Sequence, residues 1–339
     1  MHMADALLSP TVGGAMWAVS AGSIAFCSAR VRSAPDDRTV PLMGVLGAFL
    51  FAAQMINFSI PATGSSGHLG GGLLLAILLG PYAAFLTISS VLVVQALFFA
   101  DGGLLALGCN IFNMGFIPTF IVYPYIYRKL TGNNPGQKRL TIATMISAVI
   151  CLQLGPFSVV LETWFSGIAS LPFSTFVLLM QPIHLAIGVV EGIVTIAVVS
   201  FICKARPEVL QGAQEARPAG GRPVLNVVKF FLIAALLLGG IISWFASKNP
   251  DGLEWAIAGV TGKEKLEGPK QGLHRTLAAL QEKTALLPDY SFKTPAGDLK
   301  KRDTGSKLGT TVSGLTGSLL TLIVIFLSGF ILSKRKQTI

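Results

Sequence analysis

Nine apolar segments alternate with polar linkers along the chain, at about 12–29, 40–57, 71–80, 82–100, 104–127, 140–161, 173–203, 226–246 and 313–333. Most approach the roughly 20 apolar residues with which a helix spans a bilayer. The pattern predicts an all-α integral membrane protein. The third segment is short and glycine-rich. Gly80-Pro81 separates it from the fourth, and Asp101-Gly102-Gly103 separates the fourth from the fifth. So short a crossing is tolerated only where it packs against protein. The seventh segment is long enough to tilt or to kink at Pro182.

A polar stretch rich in Ala, Gly and Pro, 204–222, reads as a cytoplasmic linker. It divides a seven-helix module, 1–203, from a two-helix module, 223–339, whose helices flank a long loop, 247–312. That loop has a helical pattern at 271–286 and is otherwise extended. No internal repeat is visible.

Charge sharpens the picture. Only 12% of the 339 residues are charged and 52% are hydrophobic, against roughly 25% charged in a soluble domain. This excludes an ordinary soluble enzyme and a disordered chain. The net charge of +10, from 26 basic and 16 acidic residues, raises nucleic acid as a partner, but the arrangement argues for lipid instead. Fourteen of the basic residues fall in alternate linkers, beginning with Arg30, Arg32 and Arg38 and ending with Lys334, Arg335 and Lys336. The intervening linkers 1–11, 58–70, 101–103 and 162–172 have none. By the positive-inside rule the N-terminus, the 58–70 loop and the 247–312 loop lie outside and the C-terminus lies in the cytoplasm. The 247–312 loop carries 11 basic and 8 acidic residues, but loops of that length translocate largely regardless of charge.

The start, MHMADALLSP, lacks the basic region and apolar run of a cleavable signal peptide. The mature chain is expected to begin at Met1, and the large His2 side chain to protect that residue from removal, leaving a free amine. Cys27, Cys109, Cys151 and Cys203 stand singly in apolar runs and read as small buried hydrophobes, with no disulfide.

Histidine is scarce: His2, His68, His184 and His274. A chain that begins Met-His offers an unusual chelate. The Met1 amine, the His2 peptide nitrogen and the His2 imidazole close adjacent rings round one metal. The peptide nitrogen binds only with its proton displaced, which Ni(II) and Cu(II) achieve in tetragonal nitrogen fields. His68, in the flexible loop PATGSSGHLGGG, is placed to fill the fourth position. The competing reading is a frayed terminal His2 and a loop hydrogen bond for His68. Ser66, Gln95, Asp101, Asn110 and Asn113 are candidates to orient these ligands from behind, or to cap helices and pack. His184 and Glu191 are seven residues apart, on one face of a helix. They suit an ion relay or a packing hydrogen bond. His274 is expected to be solvated.

No P-loop, Ser/His/Asp, HExxH or CxxC arrangement is present; Gly259-Val-Thr-Gly262-Lys263 has the wrong spacing. An enzyme reading therefore rests on nothing positive, and the chain has no P-loop with which to hydrolyse ATP.

Four strings carry a family resemblance: MHMADALLSP, NFSIPATGSSGHLGGGLLLAILLGPYAA (57–84), VLVVQALFFADGGLLALGCNIFNMG (91–115) and HLAIGVVEGIVT (184–195). Together they resemble the CbiM/NikM metal-capture subunit of energy-coupling-factor (ECF) transporters for cobalt and nickel. NPDGLEWAI (249–257) and LPDYSF (287–292), with a helix on either side, resemble the small CbiN/NikN partner, so the chain looks like a fusion of the two. Met3-Ala4-Asp5 departs from the family's usual start. The resemblance implies a seven-helix ECF capture module plus a two-helix module in a prokaryotic cytoplasmic membrane. It implies a metal bound by Met1, His2 and His68, and a separate ATPase subunit and transmembrane coupling subunit as partners. Ni²⁺ is the expected substrate, since the long PDGLEW loop ending in DYSF looks more like the nickel-type partner; Co²⁺ is the alternative. A self-sufficient secondary permease, for which Glu191 is the lone intramembrane carboxylate to work with, is the main rival. A membrane sensor is less well supported, and a metalloenzyme least.

Overall fold

The structure is a computed structural model that describes residues 2–33, 38–132, 135–205, 225–293 and 302–334. A short 3₁₀ turn, Asp5–Leu7, leads into α1 (Pro10–Ser33) and α2 (Thr39–Gln54). A small antiparallel hairpin follows, β1 (Phe58–Ile60) and β2 (Ser65–Gly67), with Phe58 opposite Gly67. Next come α3 (Gly72–Leu79) and α4 (Pro81–Phe99). Gly71 and Gly80 both stand at φ 74°, where a side chain would be strained. Pro81 then starts α4 at the position where a missing N–H is harmless.

The fifth apolar segment is one continuous rod: α5 (Leu107–Ile111), a π-helical stretch (Phe112–Tyr127) and α6 (Arg128–Thr131). Pro118 and Pro124 lie inside the π stretch. Each lacks an N–H and crowds the turn before it, and the wider winding accommodates both. α7 (Gln137–Ser166) packs along α8 (Phe173–Ala205), which runs as a single helix through Pro182. The second part of the chain contributes α9 (Leu225–Gly240), α10 (Gly252–Thr261), α11 (Gly272–Thr284) and α12 (Arg302–Lys334).

Every expected apolar segment is helical over most of its length, with shifted ends. α9 stops at Gly240 and yields to a 3₁₀ turn, Ile242–Phe245, and the last helix begins at Arg302 rather than at 313. Most of the expected linker, 206–222, lies outside the described residues. Among the described residues, five helices are long and apolar enough to cross a membrane: Pro10–Ser33, Pro81–Phe99, Gln137–Ser166, Phe173–Lys204 and Lys307–Phe330. Thr39–Gln54 and Leu225–Gly240 are apolar but shorter.

α9 and α12 join the first module by packing on α2. Small residues permit the close approach. A Cβ on Gly314 would lie 2.3 Å from the Gly239 carbonyl oxygen, and one on Gly317 would lie 2.0 Å from Phe51. α10 lies over the hairpin and against α8, and α11 over the end of α4.

Candidate metal centre

The two halves of the site come from distant parts of the chain. The first is the extended N-terminal segment. Asn110 clasps Met3 from both sides: the Met3 N–H donates to Asn110 Oδ1 at 2.8 Å, and Asn110 Nδ2 donates to the Met3 carbonyl at 3.3 Å. The Gly103 N–H also donates to that carbonyl, at 2.9 Å. The Met3 side chain is fully buried. Asn113 Nδ2 donates to Glu162 Oε2 at 2.8 Å, and Met3 Sδ lies 3.9 Å from the same nitrogen. Asp5 Oδ1 accepts from the Ala106 N–H at 2.9 Å. A Cβ on Gly103 would lie 1.8 Å from that oxygen, so only glycine fits there.

The second half is the glycine-rich loop. Glu191, on α8 and 2% exposed, accepts two of its N–H groups, Gly70 at 2.7 Å and Gly71 at 3.0 Å. Gln95 Nε2 donates to Gln54 Oε1 at 2.9 Å, and Gln54 Nε2 in turn donates to the Gly70 carbonyl at 2.9 Å. His68 Nδ1 lies 3.1 Å from its neighbour's carbonyl at Leu69. A carbonyl only accepts, so Nδ1 carries the proton and Nε2 keeps its lone pair. Burial drives the His68 imidazole down to about 3, so it is neutral at ordinary pH.

These anchors bring His2 and His68 together. Their rings stack at 5.0 Å between centroids, 12° from parallel. Asp101 sits beside them, with Oδ1 3.1 Å from His2 Nδ1 and Oδ2 accepting from the Tyr290 hydroxyl at 2.5 Å. Burial opposes ionisation of Asp101, but the His2 ring and the Tyr290 hydroxyl outweigh it and hold the carboxyl well below the usual range. Met1 lies outside the described residues.

The second module covers this pair. Asp251 caps α10 by accepting from Leu253 N and Glu254 N, with Glu254 returning the bond to the Asp251 N–H. The preceding turn docks on the hairpin: Ser66 N donates to the Pro250 carbonyl at 2.8 Å, and Ser66 Oγ to the Asn249 carbonyl at 2.8 Å. Trp255 Nε1 donates to the Thr63 carbonyl at 3.0 Å. From α11, Gln281 Nε2 donates to the carbonyls of Ala96 and Gly102 at 2.9 and 2.7 Å. His274 Nε2 donates to the Leu8 carbonyl at 2.8 Å and is buried, which corrects the expectation of a solvated side chain. Beneath this cover is a cavity of about 1100 Å³ whose lining includes His2, His68, Asp101, Asp251, Glu254 and Tyr290.

Apart from Met1, the residues singled out from sequence take definite places. Asp101 touches His2; Asn110 and Asn113 meet the Met3 segment; Gln95 reaches the His68 loop through Gln54; Ser66 holds the covering turn. Glu191 is committed to the loop backbone, whereas His184 Nδ1 donates to the Met180 carbonyl at 2.8 Å. Among the described residues no hydrogen bond joins His184 to Glu191. Sequence reasoning missed Asp251, which caps its own helix, and Gln54, Trp255, Gln281 and Tyr290, whose partners lie 16 to 192 positions away. The four cysteines are free and at least partly buried.

Comparison with known proteins decides the family. The profile for the CbiM cobalt uptake substrate-specific transmembrane region matches residues 2–209. The chain belongs to the CbiM family. A second profile, the PDGLE domain, matches residues 225–334. A NikMN-type chain from Archaeoglobus fulgidus is 30% identical over 338 residues, covering all of both chains. The fused nickel transport protein NikMN of Rhodobacter capsulatus is 29% identical over 316 residues, 86% of this chain and 88% of that one. The cobalt transport protein CbiM of Geobacter sulfurreducens is 30% identical over 257 residues, 71% of this chain and 72% of that one. A crystal structure of a truncated transition metal transporter aligns with TM-score 0.53 at 30% identity, covering 60% of this CbiM-family chain and 99% of the other.

Proposed function

We propose that this chain is the metal-capture component of an ATP-driven ECF importer of nickel, with Co(II) uptake the nearest alternative. The observation that carries the reading is the pairing of His2 with His68, flanked by the Asp101 carboxylate and enclosed by the second module. In this reading the Met1 amine, the His2 peptide nitrogen, His2 Nδ1 and His68 Nε2 form a near square-planar four-nitrogen field, which suits Ni(II). Only Nδ1 closes a six-membered ring with the His2 peptide nitrogen, so binding draws it away from Asp101, its partner at 3.1 Å. Asp101 and Asp251 supply negative charge for the dication without occupying its plane.

The capture side faces outward, with the C-terminus in the cytoplasm, and seven plus two segments cross the membrane. Energy comes from a separate ATPase subunit and a transmembrane coupling subunit. Both the amine and the His2 imidazole compete with protons for the ion, so affinity falls as the medium is acidified. Titration of the purified full chain with Ni²⁺ tests the reading. His2→Ala and His68→Ala are each expected to weaken binding more than about 100-fold, beyond the 10–100-fold typical of groups behind the ligands. Unchanged affinity in both overturns it.

A further inference from the structure

His184 has no role in the four-nitrogen field, yet its ring is held ready for a metal. It lies on α8 and is 1% exposed. Its Nδ1 faces the Met180 carbonyl at 2.8 Å, so that nitrogen carries the proton and Nε2 presents a bare lone pair. This is the tautomer that His68 adopts against the Leu69 carbonyl, and a backbone carbonyl behind Nδ1 is the usual support of a metal-binding imidazole. His184 Nε2 nevertheless has no hydrogen-bond partner among the described residues. An orphaned buried nitrogen calls for an explanation.

The space that Nε2 faces is shared with the capture site. A pocket of only about 10 Å³ is lined by His68, His184, Asp251 and Gly252, among others. That is about the minimum for one water molecule, so no hydrated ion enters while the second module is docked. The closure is Gly252 itself: a Cβ there would lie 2.9 Å from His184 Cε1 and 3.1 Å from Nε2. The capping box of Asp251 and Glu254 keeps this turn rigid, and Ser66 ties it down. No group of three His, Cys, Asp or Glu side chains that could hold a metal is assembled among the described residues, so the position is a transfer step rather than a formed site.

We propose that His184 is an inner ligand for the transported divalent cation, taking it from His68 through Nε2 when the Asp251–Gly252 turn lifts. The proposal rests on the capture reading above. The step is ligand exchange: the three bonds to the N-terminal segment break, water takes the vacated positions and returns a proton to the His2 peptide nitrogen, and the bond to His184 Nε2 forms as the last one, to His68 Nε2, breaks. No oxidation or reduction is involved.

The test uses the full chain with Ni²⁺ as probe, alone for equilibrium binding and with its ATPase and coupling subunits for uptake. His184→Ala is expected to leave resting affinity within about threefold and to lower uptake at least roughly tenfold, the low end for perturbing a metal's environment. His184→Gln retains an amide for the Met180 carbonyl but is a poor nickel ligand, so it is expected to behave like the alanine variant. Normal uptake in His184→Ala, rescue by His184→Gln, or collapse of resting affinity in His184→Ala each overturns the inner step. His68→Ala, run in parallel, separates the two readings: if it binds Ni²⁺ normally, the capture site itself is wrong.

Discussion

The two halves of the metal centre are held in different ways. The His68 loop is fixed from beneath by the buried Glu191 carboxylate, which accepts both Gly70 and Gly71 N–H groups, and from the side by the Gln95–Gln54 chain. The His2 strand is fixed one residue later, through the backbone of Met3 held by Asn110 and Gly103. Among the described residues, the His2 ring meets the Asp101 carboxylate and the His68 ring. One half is thus a preformed cradle, and the other an arm pinned behind its ligand. In the proposed reading that asymmetry suits a site that both seizes and releases a dication, because the arm can leave while the cradle stays in place.

Ligand deletions press hardest on this comparison. His2→Ala removes an imidazole and a chelate ring, whereas His68→Ala removes a single donor. Calorimetric titration with Ni²⁺ should therefore rank His2→Ala as the more damaging of the two; the reverse order would mean that the arm is not the chelating half. Glu191→Ala comes next and acts on stability. It strips two N–H groups of their acceptor, each left unpaired at a cost of roughly 1–3 kcal/mol. A thermal-unfolding series should show a large loss, with Glu191→Gln intermediate because its amide retains one acceptor oxygen. A neutral Glu191→Ala would break the cradle argument.

Asn110→Ala should leave the cradle intact and loosen the arm. It unpairs the Met3 N–H, at about 1–3 kcal/mol, and Ni²⁺ affinity should drop about tenfold with little change in hydrogen exchange at Gly70 and Gly71. Trp255→Phe should have the smallest effect. It removes the single bond to the Thr63 carbonyl, worth about 1 kcal/mol, and should show as faster hydrogen exchange in α10 with nickel binding nearly unchanged.

Much of this architecture was legible in the sequence. Hydrophobic runs of spanning length mark their helices, because a membrane helix writes its burial into consecutive residues. Gly80-Pro81 and Asp101-Gly102-Gly103 marked their breaks for the same local reason. The π winding over Phe112–Tyr127 was not legible: Pro118 and Pro124 signal a disturbed helix but not which disturbance. At the site, the chemistry of a Met-His start and a histidine in a glycine-rich loop pointed to His2 and His68. Their juxtaposition, and the partners of Asn110 and Gln95, required the fold. The cover was the least legible part. Tyr290 meets Asp101 across 189 positions and His274 meets Leu8 across 266. Such bonds leave no periodicity in either segment, and a histidine on a polar loop helix looks solvated until its acceptor is known.

The most direct test of the account places four residues, Gly-Ser-Gly-Ser, before Met1 and repeats the Ni²⁺ titration on the otherwise unchanged full chain. The extension carries the amine out of chelating reach of the His2 imidazole, without setting His third from the start, where amine, two peptide nitrogens and imidazole would rebuild a four-nitrogen plane, while His2, His68, Asp101 and every anchor remain. The account predicts a loss of affinity of more than about 100-fold with thermal stability of the metal-free protein unchanged. Affinity equal to that of the unextended chain would contradict it.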